Sequence, residues 1–207
     1  GLAVSGDRRR VYAAVFDSGN GTTTLPSWTV RDHGGLPPPP ATSRFFPNHF
    51  PFVGLIVKHA PATDAWRDET GHDWRDVVPI ALPDLDVFTI DADATPPVGV
   101  GAAVAHVGTT LFNLAVRPGT DHVFVSNIEA HNEVRFEPNL RGRFADNRIT
   151  IVRDGVAVPV DLNPHIDRTQ PGGDAAVIDR SLALPLEIAF SGDGRFAYVA
   201  ALGSGVV

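Results

Sequence analysis

Residues 188–205 read "IAFSGDGRFAYVAALGSG", and close relatives of that phrase occur twice more, as "LAVSGDRRRVYAAV" at residues 2–15 and "LAVRPGTDHVFVSN" at residues 114–127. The three align without a gap. Leu2, Leu114 and Ile188 correspond, as do Ala3, Ala115 and Ala189, and then Tyr12, Phe124 and Tyr198. Each copy is a short apolar run, a polar turn (Ser5 to Arg9, Arg117 to Asp121, Ser191 to Arg195) and a second β-rich run. Gly and Asp supply the backbone angles of a tight turn, and β-branched and aromatic residues suit a pleated surface. Each copy is therefore predicted to be a β-hairpin.

Further strands are predicted around the copies. "DVFTIDA" (Asp86 to Ala92) alternates in the manner of a strand, and "ITIVRDGVAVPV" (Ile149 to Val160) carries Asp154-Gly155 between two apolar runs, a strong hairpin signal. "FVGLIVKH" (Phe52 to His59) is another apolar strand, with Trp66 to Trp74 as its returning hairpin turning near Gly71. No long segment has clean helical periodicity, so the chain is predicted to be all-β.

Repeated short strands point to β-propeller blades, each a four-stranded antiparallel sheet. The copies lie further apart than one blade allows, so loops must be inserted, at about 17–51, 129–147 and 162–180. The first carries Pro37 to Pro40, a tract suited to an extended polyproline stretch and unsuited to a sheet interior. About three blades cannot close a ring that needs at least four. The expectation is thus a partial propeller over residues 1–207, an incomplete ring that is part of a larger one; the chain has no Met, and both ends adjoin a repeat.

Composition narrows the function. A net charge of −7 with no dense Lys/Arg run argues against a nucleic-acid partner, and no apolar stretch is long enough to span a bilayer. The chain has no Cys, which excludes disulfides, thiolate zinc sites and covalent haem attachment within it.

The repeat resembles that of the YVTN-type β-propeller family, whose phrase is close to P-x-G-(I/L)-A-V-S-P-D-G-x-x-(V/L)-Y-V-(T/A/S)-N. The matching residues run from Leu182 to Ala200 and from Val123 to Asn127. Gly6 and Gly192 stand where the family often has Pro, and the first copy has Arg9 in place of the turn glycine. The resemblance implies a bacterial protein that is periplasmic or extracellular. Its long insertions are similar to those of exported propellers that lie beside a haem-containing domain, which here would fall outside this segment.

The richest polar stretch is Ser126 to Arg143. It offers Asn127, Glu129, His131, Asn132, Glu133 and Arg135, and His165 in "LNPHID" could fold over to join them. A His with several carboxylates can act as acid and base or hold a cation, and the same residues in a solvated loop serve only turns and ion pairs. "DAWRDETGHDWRD" (Asp64 to Asp76) combines aromatic and acidic side chains but lacks the spacing of a Ca²⁺ loop. "GVGAAV" at Gly99 lacks the third glycine and the helix of a dinucleotide site, and no catalytic, metal or cofactor motif is present. Two functions remain open. One is a non-catalytic scaffold that binds a protein, glycan or small ligand through its inserted loops. The other is a propeller enzyme, lactonase-like or quinoprotein- or haem-associated, with its site at the ring axis built from Glu129, His131, Glu133 and His165.

Overall fold

A computed structural model of the chain describes residues 1–37, 54–135, 137–169 and 174–206. Its strands are β1 (Leu2–Val4), β2 (Arg10–Ala14), β3 (Thr22–Leu25), β4 (Leu55–Ala60), β5 (Ala65–Arg67), β6 (Val87–Asp91), β7 (Val98–Gly99), β8 (Thr110–Val116), β9 (Val123–Ala130), β10 (Ala145–Arg153), β11 (Val156–Asp161), β12 (Pro185–Phe190) and β13 (Ala197–Ala201). Among the described residues three short α-helices accompany them: α1 (Ser27–Asp32), α2 (Glu137–Leu140) and α3 (Ala175–Asp179). The chain is all-β in character, and its sheets are antiparallel.

The three copies of the phrase form three hairpins with one register. Ala3 faces Tyr12, Ala115 faces Phe124 and Ala189 faces Tyr198. The turns of the first and third copies also share their hydrogen bonds. Ser5 Oγ donates to Asp7 and accepts from the Arg10 amide, and Arg9 N–H donates to Asp7; Ser191, Asp193, Arg195 and Phe196 repeat the pattern. The left-handed residue of the first turn is Arg8 (φ 63°), in the place of Gly194 (φ 67°), not the neighbouring Arg9.

Two four-stranded sheets follow from these hairpins. The second is a simple meander in the order β8-β9-β10-β11, with its β10–β11 turn at Asp154-Gly155, both of positive φ (51° and 74°). The first has the order β1-β2-β6-β7. Between β2 and β6 the chain leaves to build a separate three-stranded sheet, β3-β4-β5, before returning. The third hairpin, β12-β13, forms a two-stranded sheet. Among the described residues no sheet closes on itself.

Two apolar cores result. Tyr12, Val87, Val107, Leu111, Leu114 and Val125 are among the buried residues that join the first two sheets, with Ala3 and Val116 packed at the margin. Leu25, Val30 of α1, Leu55, Val57 and Trp74 form a second core under the inserted sheet. The third hairpin packs beside β8 and β9, where Phe190 meets Phe124 edge to face at 5.0 Å.

Several expectations change in detail. β4 does return as a hairpin, but through β5, after a turn at 61–64. Gly71 (φ 87°) turns a smaller loop closed by a bridge between Arg67 and Asp73. β9 runs on through Ala130, so Glu129 stands on a strand and the following loop begins two residues after it. The 17–51 excursion contains β3 and α1. Its polyproline tract lies outside the described residues except for Pro37, as do Phe52, Val53 and Pro171 to Gly173. The 162–180 excursion contains α3, whose N-cap Asp174 accepts from the Val177 amide at 2.8 Å.

Candidate functional site

One wall of a cleft is built where β6 begins. Val87 and Val104 exchange backbone hydrogen bonds, which brings residues 105–108 alongside 84–86. Asp86 is fully buried and accepts from the amides of Val107 (2.6 Å) and Gly108 (3.4 Å), while Ser18 Oγ donates to its other oxygen. Asp84 accepts from the amide of His106 at 3.0 Å and lies 2.6 Å from its Nδ1. These bonds hold His106 in the left-handed region, at φ 62°. Burial pushes the Asp86 carboxyl up to about 6; Ser18 and the Val107 amide pull it down, and neighbouring Asp84 pushes it further up.

The next wall is the middle of the second sheet. Fully buried Asn127 donates to Val125 O and Thr150 Oγ1, both at 2.9 Å, and accepts from Arg148 Nε at 3.2 Å. Gly108 lies directly against it, and a Cβ there would come within 2.5 Å of Asn127 Oδ1. Arg148 Nη2 donates to Val107 O and to Glu129 Oε2, each at 3.0 Å. Asn127 is therefore a structural node that aims Arg148 and, through it, Glu129.

The inserted sheet supplies the opposite wall. On β4 and β5, His59 and Trp66 are cross-strand neighbours whose rings lie 5.0 Å apart at 34°. Lys58 reaches back across the seam to Glu133 (3.0 Å), and Asn132 bonds Asn20 and Thr22. Between the walls lies a cavity of about 620 Å³, lined by Lys58, His59, Trp66, Asp84, Glu129 and Arg148 among others, with a largely apolar flank of Ala81, Leu82, Pro83 and Pro159.

Of the sequence-predicted residues, Glu129 lines this cleft, and Asn127 lies beneath it. Asn132 and Glu133 tie the seam, and Arg135 fastens the same seam by donating to Glu69 and to Pro37 O, both at 2.8 Å. His131 turns elsewhere. It contacts Asp146 at 3.1 Å, within a cluster completed by Arg143 and Arg168. Burial would raise the Asp146 carboxyl, but the hydrogen bonds from Arg143 and His131 and the charges of Arg143 and Arg168 outweigh it and hold the group at about 2. His165 is separate again, against Val177 O at 3.3 Å. Neighbouring Asn163 clasps both backbone groups of Leu182.

The acidic stretch 64–76 is likewise occupied. Asp68 accepts from Thr70, from the His72 amide and from Trp74 Nε1, which outweigh its burial and hold its carboxyl below the ordinary range. Among the described residues no group of three or more His, Asp or Glu side chains is placed to hold a metal ion. No helix among them is long and apolar enough to cross a membrane. Sequence reasoning missed Lys58, His59, Asp84, His106 and Arg148. The D-x-D of "LPDLDV" just before a strand was the one local signal available for any of them.

No family model matches the chain, and no curated protein matches it. Among solved structures it is similar to hydrazine synthase of Kuenenia stuttgartiensis, with 14% identity and a TM-score of 0.46 over 98% of this chain and 49% of that one. The chain thus spans about half the length of the structure it matches.

Proposed function

We propose that the chain is a non-catalytic binding module of β-propeller type, from an exported bacterial protein, that takes a small ligand in the cleft between its inserted sheet and its repeat sheets. The observation that carries this reading is the state of the charged groups around the cleft. Arg148 is committed to Glu129, Lys58 to Glu133 and Asp84 to His106, each at 3.0 Å or less. Such groups form a polar recognition surface, and none of them is a nucleophile beside an activating base. The enzyme reading gains nothing comparable, since His131, Glu133 and His165 face three different partners.

The propeller arrangement is supported by the common register of the three hairpins and by their burial. Leu114 and Ile188 are 5% exposed in the second and third hairpins, against 70% for Leu2 in the first. Tyr12 is 7% exposed where the next hairpin follows it, against 56% for Tyr198 in the last. Faces covered between hairpins are thus open on the outermost ones, as blades of a longer ring would leave them.

The test is amide chemical-shift mapping of the full chain against a library of small polar fragments. Shifts are expected to concentrate at 58–59, 66, 84, 106–108 and 129. Hits confined to other surfaces, or no hits, would overturn the reading.

A further inference from the structure

We propose that the ligand of this cleft is an uncharged saccharide of one or two rings, held through a pair of vicinal hydroxyls by Glu129 and Arg148 with its apolar face on Trp66. The inference rests on the binding reading above and names the ligand class for the same cleft.

Charge comes first. Among the described residues, and apart from its two histidines, the cleft is lined by two cationic side chains, Lys58 and Arg148, and two carboxylates, Asp84 and Glu129. Each is already paired within the protein. A charged ligand would meet both signs of charge at once and would compete with these existing pairs. A neutral ligand leaves them all intact.

The remaining hydrogen-bonding capacity is specific. Among the described residues Arg148 uses Nε and Nη2, which leaves Nη1 as a donor, and Glu129 uses Oε2, which leaves Oε1 as an acceptor. The pair is a charge-assisted donor beside a charge-assisted acceptor on one rigid strand pair: Arg148 of β10 stands opposite Asn127 of β9, and Glu129 lies two residues further along β9. A vicinal diol is the complementary group. One hydroxyl accepts from Nη1 while its neighbour donates to Oε1. Asn127 beneath Arg148 fixes the guanidinium, so the donor is oriented before any ligand arrives.

The aromatic wall completes the match. Trp66, on the inserted sheet, lines the same cleft; it packs against the second core and beside the His59 ring, and it is partly exposed. A pyranose presents hydroxyls around its rim and C–H groups on its faces, so it satisfies an aromatic plane on one side and polar groups on another. A wholly apolar ligand would strand the Arg148 donor and the Glu129 acceptor without partners. The cavity of about 620 Å³ accommodates one or two such rings.

The experiment follows the Trp66 indole N–H of the full chain by NMR, and in the Trp66 variants the backbone amides of 58–59, 106–108 and 129, during titration with cellobiose, maltose and diacetylchitobiose, beside digalacturonate, diglucosamine and free indole. At least one neutral disaccharide is expected to shift the Trp66 signal saturably. Glu129→Gln should weaken that binding roughly tenfold by removing a charge-assisted acceptor. Trp66→Phe should weaken it less, and Trp66→Ala should abolish it. If Trp66→Ala fails to fold, the other two variants carry the test. If only the charged dimers or indole shift the signal, the saccharide inference is wrong and the binding cleft stands. If neither these probes nor the fragment library moves any cleft signal, both fall.

Discussion

The first and third hairpins lie near opposite ends of the chain and yet close their turns with the same serine, the same aspartate and the same set of hydrogen bonds. The inserted sheet repeats nothing. Its core joins Leu25 and Val30 to Leu55, Val57 and Trp74, residues that meet only after a long stretch of chain has been closed. The contrast separates two ways of specifying structure. The hairpins are fixed by contacts within a dozen residues and then rely on a neighbouring hairpin to cover their faces. The inserted sheet covers its own face and owes little to local signals.

The largest effect expected from this contrast is in the second core. Trp74 is 3% exposed and donates to Asp68 at 2.9 Å. Trp74→Ala should cost about 3–5 kcal/mol. Hydrogen exchange should show protection lost in β3 and β4 while β8–β10 keep theirs. Equal loss in both regions would mean that the two cores melt as one unit, and the contrast would fail.

A pH series probes the seam between the regions. Asp86 has a folded value of about 6 against an ordinary 3.8, so between those values the folded chain holds a proton that the unfolded chain has released. Its contribution is therefore most favourable below pH 4 and is lost as pH rises through 6, a loss of about 3 kcal/mol. Asp146 has the opposite sign. Held at about 2, it stabilises the fold above pH 4, by roughly 2 kcal/mol, and that support disappears as pH falls toward 2. Denaturant midpoints should rise from pH 7 to about 4 and fall again in stronger acid. Asp86→Asn should remove the first change and leave the second.

A smaller loss is expected from the node beneath the cleft. Asn127→Ala would leave Thr150 and Arg148 short of partners, at a cost of about 1–3 kcal/mol. The smallest effect tests the hairpins. Arg8 carries a side chain where the third copy has Gly194, so Arg8→Gly should stabilise the chain by at most about 1 kcal/mol, net of the freedom glycine adds to the unfolded state. Thermal melting would resolve the sign, and a loss of stability would show that Arg8 earns its place through its side chain.

Local physics decided what was legible in the sequence. The alternation in Val87 to Asp91, the Asp154-Gly155 turn and the phrase itself each predict a strand or hairpin that the structure contains. β3 escaped because "TTTL" offers one apolar residue, and it is a strand through its pairing with β4. The cleft was harder still. Lys58, Asp84, His106, Glu129 and Arg148 come from five segments, brought together by the bridge of Val87 to Val104 and by the β9–β10 register. Glu129 stood out because it belongs to a conspicuously polar stretch, as did His131, and only tertiary geometry separates the one that lines the cleft from the one that pairs with Asp146.

The point at which the chain leaves the first sheet has a consequence for how the molecule can be altered. Val15, one residue past β2, donates to Asp86, one residue before β6, at 2.8 Å. The exit and the return are thus a bonded pair, and about seventy residues hang between them at a closure cost only roughly 3 kcal/mol above that of a tight turn. To the sheet, the inserted unit is a cassette plugged into a socket whose two contacts already touch. Replacing it with a short turn should leave the first hairpin and its neighbours folded while removing the aromatic wall. Exchanging it for another unit with adjacent ends would give the same framework a different specificity.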